Sequence, residues 1–203
     1  MEIWIYEYQA SWPSDFEAIK SELAFDLALG QATYLTIEHV GSTAVPGLIG
    51  KNVIDILIVI PSADFHAGVL TRFKEALMCG EKQGGYYYLG NGGVQGRWSF
   101  KLHPCEPGLA RVERHVYVAA EGSMPHRNYL ALRDTLRVEP GLRDEYGAVK
   151  LEASVGEYDN VMQYATKKNG IVRKILRKAG WSEEEVDEKE AQAVKDWPRG
   201  LEI

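Results

Sequence analysis

Residues 38–57, EHVGSTAVPGLIGKNVIDIL, have the pattern of a strand, a glycine–serine turn, a short loop and a second strand. Gly41 allows the backbone to turn sharply, and small residues such as Ser42 and Thr43 allow backbone N–H groups and hydroxyls to approach a phosphate. Turns of this kind also serve simply to connect elements. The second strand is apolar apart from Asp55, and a carboxylate there costs free energy unless it is paired, hydrogen-bonded or bound to a metal. Asp55 is therefore a candidate site residue.

The composition is that of an ordinary globular protein. The chain has 203 residues, of which 45% are hydrophobic and 26% charged, and its net charge of −6 argues against bulk binding of nucleic acid. Cys79 and Cys105 show no metal-finger spacing, which favours free thiols in a reducing compartment. The N-terminal MEIWIYEY does not resemble a signal peptide, and no apolar run approaches the roughly 20 residues of a membrane helix. We expect a cytoplasmic protein with no membrane partner.

Hydrophobic periodicity predicts an α+β protein with a mixed front half and a helical C-terminal half. The predicted strands span 3–8, 34–40, 53–60, 97–102 and 112–118, with a turn-rich hairpin region at 80–96. The predicted helices span 11–29, 63–78, 125–138, 142–155 and 158–178. We expect a single domain over 1–180, followed at 181–203 by an acidic helix or a loose tail whose charges face solvent.

The Gly-Ser turn followed by an apolar strand with an acid resembles the nucleotidyltransferase superfamily of the polymerase-β type. The wider segments YQASWPSDF, IEHVGSTAVPGLIGKNVIDILI, HVYVAAEGS, YLALRDTLR and EYGAVK resemble the GrpB family, over roughly residues 3–178. This resemblance implies a nucleotidyltransferase-like fold, a mixed twisted β-sheet flanked by helices. Members of the family also occur fused to dephospho-CoA kinase, which fits a nucleotide-related role. The resemblance implies the fold more directly than the reaction.

The superfamily resemblance implies that the turn of Gly41, Ser42 and Thr43 holds a triphosphate and that acids on adjacent strands hold Mg²⁺. Asp55 and Glu38, which matches a family position, are the candidate metal ligands and catalytic acids; Glu38 has the alternatives of orienting the loop or pairing with a basic residue. A second acid commonly follows two residues after the first, on the same face of the strand. Leu57 occupies that position here, and this argues against ordinary two-metal catalysis.

Further candidates come from basic residues and one histidine. His115, in RHVYV, is a candidate metal ligand, phosphate ligand or general base, with simple packing as the alternative. Tyr117 stands where the family usually has a second histidine. Lys51, Lys101 and Lys168 match family lysines, and they are predicted to neutralise phosphate unless they are merely solvated.

The leading hypothesis is a protein that binds a nucleoside triphosphate with Mg²⁺ and transfers a nucleotidyl group to an unidentified acceptor. An alternative is a non-catalytic nucleotide-binding or regulatory module that has lost the second metal-binding acid. A third hypothesis is a metal-assisted hydrolase that uses Glu38, Asp55 and His115. All three imply a nucleotide or another phosphorylated small molecule as partner, and the oligomeric state stays open.

Overall fold

The computed structural model describes residues 3–78, 85–92, 94–103, 112–156, 158 and 161–195. In these ranges one mixed sheet has five strands in the order β1-β2-β5-β4-β3. The strands are β1 (Thr36–Val40), β2 (Val53–Ile60), β3 (Tyr86–Tyr88), β4 (Arg97–Leu102) and β5 (Glu113–Ala120). β2 is antiparallel to β1 and parallel to β5, and the β5–β4 and β4–β3 pairs are antiparallel. The predicted α+β class, a mixed sheet flanked by helices, is confirmed.

Helices cover both faces of the sheet. The described helices are α1 (Trp12–Leu29), α2 (Ala67–Met78), α3 (Met124–Val138), α4 (Pro140–Ser154), α5 (Val161–Lys167), α6 (Asn169–Lys178) and α7 (Glu183–Lys195). α1 and α2 pack on one face around a large apolar core. α3 lies on the other face and is packed against α4 and α6, and α7 packs on α6. None of the helices in the described ranges combines the length and the apolar character needed to cross a membrane.

The side chains of β2 divide between the two faces because strand residues alternate. Ile54 and every second residue after it enter the core beneath α1 and α2. Leu57 and Val59 face the other way, in a cluster that includes Tyr129 of α3. Asp55 belongs to this second face, near the start of the strand. Nearly all residues of β2 are apolar, because the strand is central in the sheet and buried on both sides.

One predicted element was wrong and two were partly right. Residues 3–8 form no strand of the sheet, and only Tyr6 makes an isolated bridge, to Gly50. An alternating pattern cannot tell a sheet strand from an extended segment, and here Ile3 packs beside α4 and α5. The helix expected at 63–78 begins at Ala67, after a 3₁₀ turn (Ser62–Asp64). The helix expected at 158–178 is divided at Lys168 into α5 and α6.

Other predictions fall partly outside the described ranges. The hairpin expected within 80–96 corresponds to the antiparallel pair of β3 and β4, but residues 80–84 and 93 are not described. Cys79 and Cys105 also lie outside the described residues, as do 196–203. The predicted bounds of β2 and β4 agree with the structure.

The acidic segment after residue 181 forms a docked helix, α7. Its start has a capping box, in which the Glu185 backbone N–H donates to Ser182 Oγ at 3.2 Å and the Ser182 N–H donates to Glu185 Oε2 at 2.9 Å. Val186 is fully buried in a cluster with Val172 and Trp181. α7 is therefore attached by one apolar side, and its acids are not all directed to solvent as the sequence suggested.

Candidate functional site

A cavity of about 490 Å³ lies between the Asp55 face of the sheet and the C-terminal helices. Its wall combines residues of β2, β4 and β5 with residues of α3 and all four helices that follow it. This volume lies within the range of about 300–1,000 Å³ typical of small-molecule sites. The predicted residues Ser42, Lys51, Asp55, His115 and Lys168 all line it.

The glycine–serine turn packs directly on Asp55. The register of β1 and β2 pairs Val40 with Asp55, so the chain leaves β1 beside the carboxylate. Gly41 has φ of +71°, and a Cβ on this residue would lie 2.3 Å from Asp55 Oδ2. Only glycine combines this backbone conformation with so close an approach. Ser42 then opens a 3₁₀ turn (Ser42–Ala44) at the edge of the cavity.

Gly41→Ala is expected to lower the free energy of unfolding by about 2–6 kcal/mol, because a backbone with φ of +71° and ψ of −167° costs any residue but glycine about 1–3 kcal/mol and overlap with Asp55 adds a similar amount. Urea denaturation measures the change. Gly170→Ala is the matched control, since Gly170 is helical and its added Cβ meets nothing within 4 Å. The control should change stability by no more than about 1 kcal/mol. Equal losses in the two variants would contradict the packing described for Gly41.

Asp55 is partly buried, with 27% of its side chain exposed, in an environment that opposes its charge. Burial raises its pKa to about 6, against a hydrogen bond from Tyr117 and the nearby charges of Lys150, Lys168 and Lys51, all of which lower it. The Tyr117 hydroxyl donates to Asp55 Oδ1 at 3.3 Å. A carboxylate with a raised pKa, set among lysines in a cavity, is typical of a functional site.

His115 stands opposite Asp55 on β5. Its Nδ1 lies 3.7 Å from Asp55 Oδ1 and 3.4 Å from the Tyr117 hydroxyl oxygen. Burial and the positive charges of Lys101 and Lys51 lower its pKa to about 4, so the ring is neutral at pH 7. Its Nε2 is buried and has no hydrogen-bond partner among the described residues. His115 is therefore a neutral hydrogen-bonding group, and a weak base.

Lys150 of α4 is the principal residue that the sequence reasoning missed. It is 3% exposed, and its Nζ donates to Ser42 Oγ at 2.6 Å and to the Ile49 carbonyl. Burial and the charge of Lys168 lower its pKa to about 7. The pattern that could have indicated it is its place in the buried stripe of α4, between Gly147 and Ala153. A lysine on an apolar helix face needs a specific partner.

Two more lysines make cation–π contacts with the buried ring of Tyr164. The Nζ atoms of Lys168 and Lys51 lie 4.3 Å and 5.1 Å from the ring centre. Burial and the charge of Lys51 lower the pKa of Lys168 to about 8, and burial lowers the pKa of Lys51. Together with Lys150 they form a lysine cluster. Since the chain as a whole carries a net charge of −6, the cluster makes the cavity a local site for an anion.

Three predicted residues have other contacts and do not line the cavity. Glu38 accepts a hydrogen bond from Arg133 Nη1 at 2.8 Å, which is the basic-residue pairing considered from the sequence. Thr43 is buried, and its hydroxyl donates to the first carbonyl of β2. Lys101 Nζ lies 3.6 Å from Glu113 Oε1 at the sheet surface. The expected metal role of Glu38 does not fit this geometry.

The carboxylates present fit one Mg²⁺ and not a pair. No group of three or more His, Cys, Asp or Glu side chains with metal-binding geometry occurs in the described part of the chain. Leu57 is fully buried at the position of the second acid. Glu190 also lines the cavity, but its Oε2 accepts from Arg173 Nη1 at 3.0 Å. Mg²⁺ is often held by one carboxylate and phosphate oxygens of a ligand, and Asp55 fits that arrangement.

Comparison with known proteins identifies a matching family. The model of the family described as "GrpB protein" matches residues 2–178. The UPF0157 protein YqkA of Bacillus subtilis is 28% identical over 166 residues; the match covers 82% of this chain but 44% of that protein, so the chain spans less than half of its length.

Solved structures show the same fold. The crystal structure of the conserved protein GrpB from Enterococcus faecalis has a TM-score of 0.63 and 26% identity, covering 88% of this chain and all of that one. The Cid1 poly(U) polymerase, bound to MgGTP, has a TM-score of 0.52 and 14% identity, covering 71% of this chain and 43% of that one. The sheet with its glycine–serine turn and the family match lead to one conclusion: this chain belongs to the GrpB family and has a nucleotidyltransferase-like fold.

Proposed function

We propose that this protein binds a nucleoside triphosphate with Mg²⁺ and transfers a nucleotidyl group to an acceptor. The observation that carries the proposal is the convergence of the Ser42 turn, Asp55 and the lysine cluster on one cavity. Phosphoryl and nucleotidyl transfer depend mainly on positioning and on neutralising charge, and require little covalent chemistry from the protein. A cavity that brings the Asp55 carboxylate together with several cations supplies those two functions.

In this proposal the turn, the lysine cluster and Asp55 act on the phosphates. Ser42 and Lys150 bind the phosphate nearest the turn, and Lys51 and Lys168 neutralise the rest of the chain of phosphates. Asp55 would hold Mg²⁺, which when bound supplies Lewis-acid polarisation of a phosphate oxygen. Neutral His115 offers Nε2 to a hydroxyl of the acceptor. Glu38 and Lys101 act only through the surrounding structure, and Thr43 holds the turn in place through its buried hydroxyl.

The second candidate is a nucleotide-binding module without catalytic activity. Leu57 in place of a second acid favours it, because the described residues do not assemble a second metal site. The third hypothesis, a hydrolase using Glu38, Asp55 and His115, loses support because Glu38 is engaged by Arg133 outside the cavity. In either remaining case we propose a cytoplasmic location, the reducing compartment that suits two free thiols.

Pyrophosphate release decides between transfer and binding alone. The full chain is incubated with each of the four ribonucleoside triphosphates, Mg²⁺ and a panel of acceptors bearing hydroxyls or phosphates. Transfer predicts stoichiometric release of pyrophosphate and labelled acceptor, both abolished by EDTA. Saturable binding without release across the panel would support the module. Absence of binding by calorimetry for all four nucleotides would reject both functions.

A further inference from the structure

Five buried polar atoms without partners are concentrated on the wall of the cavity. Seven buried side-chain N or O atoms lack a hydrogen-bond partner among the described residues, and two of them belong to Arg114, away from the cavity. The other five are Ser99 Oγ, His115 Nε2, Asn128 Oδ1, Glu190 Oε1 and Gln192 Oε1, and all five residues line the cavity. An unpaired buried polar atom costs about 1–3 kcal/mol. Their concentration in one place indicates that a ligand supplies the missing partners.

These atoms differ from the lysine cluster in the chemistry they require. Amide and carboxylate oxygens accept hydrogen bonds and do not donate them. Phosphate oxygens are acceptors as well, so a bare polyphosphate would satisfy the lysines and leave Asn128, Glu190 and Gln192 unpaired. The wall therefore fits a ligand that is anionic at one end and carries hydrogen-bond donors at the other.

Two of the acceptors lie on α7, which follows the part of the chain that the family model matches. That match ends at residue 178, whereas α7 spans Glu183–Lys195. Arg173 of α6 holds the helix, with Nη1 at 2.7 Å from Asp187 Oδ1 and at 3.0 Å from Glu190 Oε2. Glu190 is thereby fixed by one oxygen while the other is buried at the cavity wall.

α7 also reaches the phosphate end of the cavity. Lys189 lines the wall, and its charge is close enough to Lys168 to lower the pKa of that residue. The successive residues Lys189 and Glu190 therefore place a cation and an acceptor side by side. Since both residues line the cavity, a ligand bound at the lysine cluster also has acceptors of α7 within the same cavity.

We propose that α7 selects the nucleotide: Glu190 and Gln192 accept hydrogen bonds from amino, ring N–H or hydroxyl groups of the base or the sugar. This inference rests on the proposed function, and it assigns specificity to a helix outside the family match. It makes a nucleoside triphosphate a better ligand than tripolyphosphate, although both present the same phosphates to Ser42 and the lysine cluster.

The test compares Glu190→Gln and Gln192→Leu with the control Glu184→Gln, an exposed charge on the same helix. In Glu190→Gln the amide oxygen stays on Arg173, so the amide nitrogen turns a donor toward the cavity. Calorimetry is run with the four ribonucleoside triphosphates, their 2′-deoxy forms and tripolyphosphate. We expect the best nucleotide to lose about tenfold in affinity in each test variant. Tripolyphosphate binding and the control variant should remain unchanged, with melting temperatures confirming the fold.

The pattern of loss identifies the donor. Loss confined to some bases places the donors on the base, and equal loss for all four ribonucleotides, with weaker binding of 2′-deoxy forms, places them on the sugar. The inference is overturned if wild type binds tripolyphosphate as tightly as any nucleotide, or if both variants retain wild-type nucleotide affinity. In those cases the anion site and the proposed function still stand. Wild type that binds no nucleotide and no tripolyphosphate instead rejects the proposed function itself.

Discussion

Asp55→Asn should abolish nucleotidyl transfer, with a loss of about 100-fold or more. Asparagine keeps the size of the side chain and can still accept from Tyr117, but it has no charge with which to hold Mg²⁺. The part of nucleotide affinity that depends on Mg²⁺ should disappear, while affinity measured in EDTA is retained. Pyrophosphate release and calorimetry with and without Mg²⁺ measure these effects.

The same substitution should stabilise the folded protein at neutral pH. The pKa of Asp55 is raised by burial from 3.8 to about 6, so the folded chain holds this proton more tightly than the unfolded chain. The stability that the group contributes is therefore present at about pH 4 and is lost as the pH rises through about 6. Asparagine does not ionise, so Asp55→Asn does not lose this stability as the pH rises. Its melting temperature should exceed that of wild type at pH 7, and the difference should vanish near pH 4.

Asp15→Asn is the control for the loss of transfer, because Asp15 lies in the first turn of α1 and does not line the cavity. It should leave transfer unchanged. Normal transfer by Asp55→Asn would contradict the assignment of Asp55 as the metal ligand. A melting temperature below that of wild type at pH 7 would show that Asp55 is stabilised by its lysines more than it is destabilised by burial.

Lys150→Met should weaken nucleotide binding by about 10- to 100-fold. Methionine fills a similar volume but cannot donate to Ser42 or to a phosphate, and a charge-assisted hydrogen bond is worth about 1.5–3 kcal/mol. Tripolyphosphate should lose affinity to the same extent, since Lys150 belongs to the phosphate end. Lys167→Met is the matched control, because Lys167 is exposed on α5, one residue from Lys168. Equal losses in the two variants would indicate general electrostatics and not a phosphate site at Ser42.

The lysine cluster also predicts how binding depends on pH. The pKa of Lys150 is lowered to about 7 and that of Lys168 to about 8, mainly by burial. Affinity for tripolyphosphate should therefore fall as the pH rises from 7 to 9, because the cluster loses its protons in that window. The free protein should show the opposite trend in stability, since the unfolded chain binds more protons than the folded one above pH 7. Lys150→Met should flatten both trends, and titrations at pH 7, 8 and 9 measure them.

The patterns that the sequence reveals well are those whose partners are close along the chain. Gly41 and Asp55 are 14 positions apart, and one hairpin-like pairing of β1 with β2 brings them together. The apolar run around Asp55 predicts a central strand and thereby exposes the carboxylate as exceptional. Lys51 was predicted from its match to a family lysine, and it lies between the turn and Asp55. His115 was predicted from a family motif on a strand, where alternation puts it on one face with Tyr117.

The groups that only the tertiary structure decided are those brought together by packing between distant helices and the sheet. Lys150 binds Ser42 across 108 residues, and Arg133 engages Glu38 across 95. A helical pattern shows that a face is apolar but not which element it covers, so neither contact follows from periodicity. The run of acids in α7 does not show whether the helix is docked or solvated, for the same reason. The arginines that pair with it lie mainly on α6.

The sequence by itself thus determined the fold class, the turn and the single carboxylate, since strand alternation and glycine geometry are local properties. The tertiary structure decided that Glu38 is paired outside the cavity, that Lys150 binds Ser42 at the cavity wall and that α7 forms part of that wall. The physical reason is that the pKa of a buried ionisable group depends on the groups packed around it. The pKa of Asp55 and those of the lysines are set by burial and by one another, and those distances exist only after the helices have packed on the sheet.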